Sequence, residues 1–164
     1  TYTSLSIQTQ EREMAQLVDA LQTHLFSMGL DPHAVAPQGQ QIDIVGPPDG
    51  TLFEKTESVF LRWSSPRALG TGETYVVTVA YYDRESLESP LEPVIVEFQT
   101  EEDTLQLPEL EIGKIIPVIA WAIHIADESN STPVGPVSPT HRLVHATYRL
   151  AIMAPYVYHT DQYF

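Results

Sequence analysis

The chain has 164 residues and no cysteine, with 22 acidic residues against 8 basic ones for a formal net charge of −14. That length suits one domain, or one domain with an appendage. The charge disfavours nucleic acid and anionic lipid as partners, and the missing thiols exclude disulfides, thiolate nucleophiles and zinc–sulfur sites.

The first predicted element is a helix. Met14, Leu17, Val18, Leu21, Leu25 and Met28 recur at steps of three and four, which is one stripe of a helix surface. The pattern predicts an amphipathic helix over residues 9–28. Thr9 is read as its N-cap, with Glu11 and Glu13 near the positive end of the helix dipole. Gly29 is placed to end it in a left-handed cap, followed by Leu30 and then Pro32. A one-sided stripe must pack on something: the chain's own β-structure, a neighbouring subunit or the rest of a longer chain. Leu17, Leu21 and Leu25 are therefore candidate partner-binding residues.

Residues 31–41 read as a linker, rich in Pro and Gln, and a short strand is expected over 41–45 before a Pro/Gly turn at 46–50. From there the period changes to two. Val59, Leu61 and Trp63 alternate with Phe60 and Arg62; Tyr75, Val77, Val79 and Tyr81 alternate with Val76, Thr78 and Ala80. Val94, Val96 and Phe98, then Leu105 and Leu107, then Ile119, Trp121, Ile123 and Ile125 repeat the pattern, and Leu143 and Tyr148 belong to a last strand. The runs are rich in β-branched and aromatic residues, turn residues separate them, and no helical pattern intervenes. The expectation is mainly β: an all-antiparallel β-sandwich of about seven strands with one N-terminal amphipathic helix.

The ordered set resembles a fibronectin type III domain or a close immunoglobulin-like relative. "PPDG" followed by "VFLRW" is similar to that family's first strands, with Trp63 as core tryptophan; "GETYVVTVAYYD" is similar to its third strand. "LQLPELEIG" and "AWAIHIADESNSTPVGPVSP" resemble its leucine-containing turn, its sixth strand and the loop before its last strand. The family has a tyrosine soon after the turn glycine, whereas Gly113 here is followed by Lys-Ile-Ile-Pro, and a bulge near Pro117 is expected. On this reading residues 1–45 are helix and linker, 46–148 the sandwich and 149–164 a tail. The resemblance implies binding, adhesion or spacing roles in larger assemblies, an implication at the level of fold alone.

Sequence signals for chemistry are sparse. His141 and His145 would lie about 13 Å apart along a strand, too far to share one ion, and His24, His33, His124 and His159 have no partner at useful spacing. The acidic loops 83–88, 101–103 and 127–130 hold oxygens suited to calcium, but none has the Asp-x-Asp-x-Asp-Gly spacing, and solvated turns describe them better. There is no Gly-x-Ser-x-Gly turn, no phosphate loop and no acid pair at core positions. Asn130-Ser131-Thr132 is a glycosylation sequon, relevant only in a eukaryotic secretory setting. The expectation is no catalytic residue, no metal and no cofactor.

The end of the chain concentrates aromatics, and Tyr156, Tyr158, Tyr163 and Phe164 are candidate partner-binding residues. No run reaches the roughly 18 apolar residues of a membrane span. Thr1 in place of Met is expected where a leader has been removed or the chain is part of a longer one, and either leaves room for an upstream anchor. The functional expectation is a non-catalytic, extracytoplasmic structural or interaction subunit of a filament or membrane-associated complex. It would bind other protein subunits or copies of itself, through the helix stripe, the tail and an exposed sheet edge. The alternative is a carbohydrate- or ligand-binding module, for which Tyr81, Tyr82, Trp121 and the tail tyrosines supply the aromatics.

Overall fold

The computed structural model describes residues 4–33, 40–83, 92–113 and 116–146. Helix α1 spans Ser4–Ser27, and eight strands follow: β1 (Asp43–Gly46), β2 (Thr51–Phe53), β3 (Phe60–Ser64), β4 (Glu73–Tyr81), β5 (Val94–Thr100), β6 (Thr104–Gln106), β7 (Val118–Asp127) and β8 (His141–His145). They form a three-stranded sheet in the order β1-β3-β6 and a five-stranded sheet in the order β2-β8-β7-β4-β5.

The helix begins five residues before Thr9, so Thr9 lies inside it and is not its cap. No acid lies in its first turn, so Glu11 and Glu13 are too far along to meet the N-terminal dipole. Its other end follows the sequence closely. Gly29 has φ 84°, the Leu30 N–H donates to the Leu25 carbonyl at 2.9 Å, and the Gly29 N–H donates to the Phe26 carbonyl at 3.0 Å. This pair of bonds satisfies carbonyls that the helix leaves open, and Leu30 packs back beside Leu25.

β4 and β7 are the centre of the molecule. They pair in unbroken antiparallel register from Glu73↔Asp127 to Tyr81↔Ile119. Their odd-numbered residues, including Val77, Val79, Trp121 and Ile123, face a core shared with Leu61 and Trp63 of β3, Phe53 of β2 and Leu143 of β8. Trp63 meets Tyr75 edge-on at 5.5 Å between ring centroids, linking the two sheets. Their even-numbered residues, including Ala80, Ala120 and Ala122, face a second core shared with Leu17, Leu21 and Leu25 of α1. Both faces of these two strands are thus covered.

Two expectations about the strands are corrected. β2 was not foreseen, and it pairs parallel with β8 in the register Thr51↔Leu143 to Phe53↔His145, so the structure is not all antiparallel. The chain changes sheets between β1 and β2, and this crossing is what sets β2 alongside β8. Pro117 sits just before β7 and needs no bulge there, since its carbonyl accepts from the His145 N–H at 2.9 Å. The register shift among the early strands lies between Ile44 and Gly46 of β1 instead.

Candidate functional site

The helix stripe is interior. Leu17, Leu21 and Leu25 are fully buried against the molecule's own five-stranded sheet. Alanines at positions 80, 120 and 122 remove side-chain bulk and let the helix lie close. The Tyr82 hydroxyl donates to the Glu13 carbonyl at 2.9 Å, fastening the end of β4 to the middle of α1. Burial, aided by the negative charge of Glu13, pushes the Tyr82 phenol up to about 12. Of the surfaces that could receive the stripe, the chain's own sheet is the one in place. Tyr156, Tyr158, Tyr163 and Phe164 lie outside the described residues, as does Tyr148.

Tyr81, Tyr82 and Trp121 are also buried, and their rings do not form a platform. An open cavity of about 590 Å³ is lined by none of these three, with Phe53, Leu110 and Pro117 as its apolar wall and Glu54, Lys55 and Glu57 at its rim. The rim mixes signs and brings no set of polar groups to one point.

The histidines of β8 serve the fold. The His141 ring lies edge-on to Trp121 at 6.0 Å, with Nδ1 3.2 Å from the Pro47 carbonyl. His145 meets Phe53 edge-on at 5.3 Å, with Nε2 2.9 Å from the Glu54 carbonyl. Among the described residues no group of three His, Asp or Glu is placed to hold a metal ion. The acidic turn at the end of β7 uses its oxygens internally. Asp127 Oδ1 accepts from the Ser129 hydroxyl at 2.6 Å and from the Ser129 N–H at 2.9 Å, bonds that hold its carboxyl below the usual range.

Two ion pairs and one buried polar cluster go beyond what the sequence reading singles out. Asp49, in the turn before β2, accepts from the Arg142 N–H at 2.7 Å and from its guanidinium at 3.0 and 3.2 Å. Burial works against the Asp49 carboxylate, but these bonds outweigh it and lower the pKa. Glu73, at the start of β4, accepts from both terminal nitrogens of Arg67 at 2.7 and 3.0 Å and from the Gly70 N–H, which pulls it down to about 2. His124 is buried under α1 on the even face of β7. Its Nδ1 and the neighbouring Thr78 hydroxyl find no partner among the described residues. His24 approaches from the helix, and its Nε2 lies 3.9 Å from Glu97, beyond hydrogen-bond reach. Burial, and then the proximity of His24, push the His124 imidazole down to about 4. The sequence does carry one signal for this cluster: His124 and Thr78 fall in phase with alanines, not with the large residues.

What remains open is the periphery. β5 ends the five-stranded sheet, joined to β4 along all seven of its residues. Phe26, Val45, Leu52 and Phe60 are the large apolar residues left exposed among those described. No helix among the described residues is long and apolar enough to cross a membrane. No known family model matches the chain, and no curated protein matches it.

Proposed function

We propose that the chain is a non-catalytic structural or interaction module, a fibronectin type III-like or immunoglobulin-like β-sandwich that serves as a subunit of an extracytoplasmic assembly, filament or membrane-associated complex. The strand order supports the sandwich reading. Sheets of three and five strands contribute to one core, and the chain passes between them at every connection except β4 to β5 and β7 to β8. The observation that carries the interaction reading is the double coverage of β4 and β7. With one face given to the inter-sheet core and the other to α1, the two central strands have no open face to form a ligand groove, and contacts fall to the outer strands, edges and loops.

Photo-crosslinking in the cells that make the chain tests this. A photoreactive residue replacing Gln99, exposed on β5, is expected to yield a discrete protein adduct. Glycan-array binding without any protein adduct would overturn the reading in favour of a carbohydrate-binding module. The buried positions of Tyr81, Tyr82 and Trp121 weigh against that outcome.

A further inference from the structure

We infer that the outer edge of β5 receives an extended, basic segment of a partner protein, which adds to the five-stranded sheet as one more strand. This deepens the interaction reading above and rests on it. β5 is held along its whole length by β4, from Tyr81↔Val94 to Tyr75↔Thr100, without a bulge. Every second residue of such an edge turns its N–H and C=O away from the sheet. Among the described residues no strand pairs with that side. Lysine and proline, which commonly blunt an edge, are absent between Val94 and Thr100, and Glu97 is the strand's one charged residue.

The core also thins out here. Val96 and Phe98 pack on the inter-sheet core but are only half-buried, while Val77 and Val79 beside them on β4 are closed off entirely. An added strand with apolar residues at alternate positions would cover them.

Charge selects the occupant. Glu92, Glu97, Glu101, Glu102 and Asp103 are all exposed along and beside the strand, and no Lys, Arg or His occurs from Glu92 to Gly113. Two copies paired antiparallel about the middle of β5 would set Glu97 beside Glu97 and Glu92 beside Glu102. Like charges directly opposed across strands are destabilising, and each copy carries a net charge of −14. The same edge attracts a strand bearing lysine or arginine at alternate positions, with backbone bonds supplying affinity and the carboxylates supplying selection.

The test uses the full chain and a synthetic peptide alternating Lys and Val over the length of β5. One control has Glu in place of Lys. Another keeps the lysines but is N-methylated at alternate amides, so that one edge cannot donate. The basic peptide is expected to bind, with new amide-exchange protection on alternate residues of β5. The acidic control should not bind, and N-methylation should weaken binding about tenfold or more, through the loss of several backbone hydrogen bonds. Glu97→Lys should weaken the basic peptide as well. Equal binding of the N-methylated peptide, or protection spread over other acidic loops, overturns strand addition and leaves the module reading standing. Concentration-dependent dimerisation of the chain that protects β5 overturns the basic partner in favour of a second copy. Failure of the module reading would show separately, as glycan binding with β5 unprotected.

Discussion

The two apolar layers on either side of β4 and β7 are built from different materials. The inter-sheet layer holds both tryptophans together with Val, Ile, Leu and Tyr, and spans both sheets. The helix-facing layer is floored by alanines and contains His124 and Thr78, each with a polar atom that finds no partner among the described residues. The first is closed by two sheets. The second is closed by one helix. Packing volume makes the first the harder to open, while the second combines a smaller apolar area with buried polar groups that gain when water returns. The helix is therefore the part of the molecule most readily separated from the rest, and the inter-sheet core is what survives without it.

The sharpest way to break this comparison is to damage each layer in turn. Trp63→Ala in the inter-sheet core is expected to cost about 3–5 kcal/mol and to unfold the whole chain in one urea transition. Leu21→Ala, in the middle of the helix stripe, is expected to cost about 2–4 kcal/mol, with helical dichroism lost at lower urea than the tryptophan signal changes. If the two signals move together, the layers form one cooperative unit and the distinction fails.

Acid sharpens the same contrast. The folded-state pKa of His124 is lowered to about 4, below its ordinary value of 6.5. Once α1 is released, the imidazole takes up a proton at higher pH than it does when covered. Its contribution to stability is therefore fully present above about pH 6.5 and is lost as pH falls towards 4, amounting to roughly 3 kcal/mol over the window. His24 on α1 acts on this site, Glu97 on β5 lies 3.9 Å from His24 Nε2, and Thr78 is the polar neighbour on β4. His124→Gln should flatten the pH dependence of helix release between pH 6.5 and 4 and leave the tryptophan transition nearly unchanged. A wild-type helix signal insensitive to pH in that window would show that His124 already has a proton-sharing partner.

A smaller effect is expected at the fastening of the helix. Tyr82→Phe keeps the ring and removes the bond to the Glu13 carbonyl, for a loss of about 1 kcal/mol read as earlier helix melting with no change in the core signal. A loss as large as that of Leu21→Ala would mean that the hydroxyl, not the leucine stripe, sets the hold of the helix.

How much of this was legible in the sequence varied with the length of each pattern. β4, β5 and β7 are long enough for alternation to speak, and their positions were read within a few residues. The Gly29 cap was read from a single glycine because only a left-handed residue ends a helix with that bond pattern. β2 escaped because three residues cannot display a period, and because its partner is β8, some 90 residues further on. The start of α1 escaped because its stripe begins at Met14, so periodicity could not report the turns before it. Coverage of the helix face was present as a signal in Val76, Ala80, Ala120 and Ala122. Those residues made both faces of the strands apolar, as expected of strands buried on two sides. The candidate edge was legible as a strand but not as an edge, since strand order depends on contacts between distant segments.

The parallel pairing of β2 with β8 has a mechanical meaning. Tension carried from residues before β2 to residues beyond β8 pulls the two strands in opposite senses along their shared direction. Parallel strands so loaded slide past one another, and their bonds are strained together, whereas an antiparallel pair pulled from adjacent ends opens one bond at a time. The Asp49–Arg142 pair lies at the start of this contact and shares the load. Single-molecule extension should find that this end yields late and abruptly, and Arg142→Ala should lower the yield force; a gradual, low-force peeling would show that β2 carries none of it.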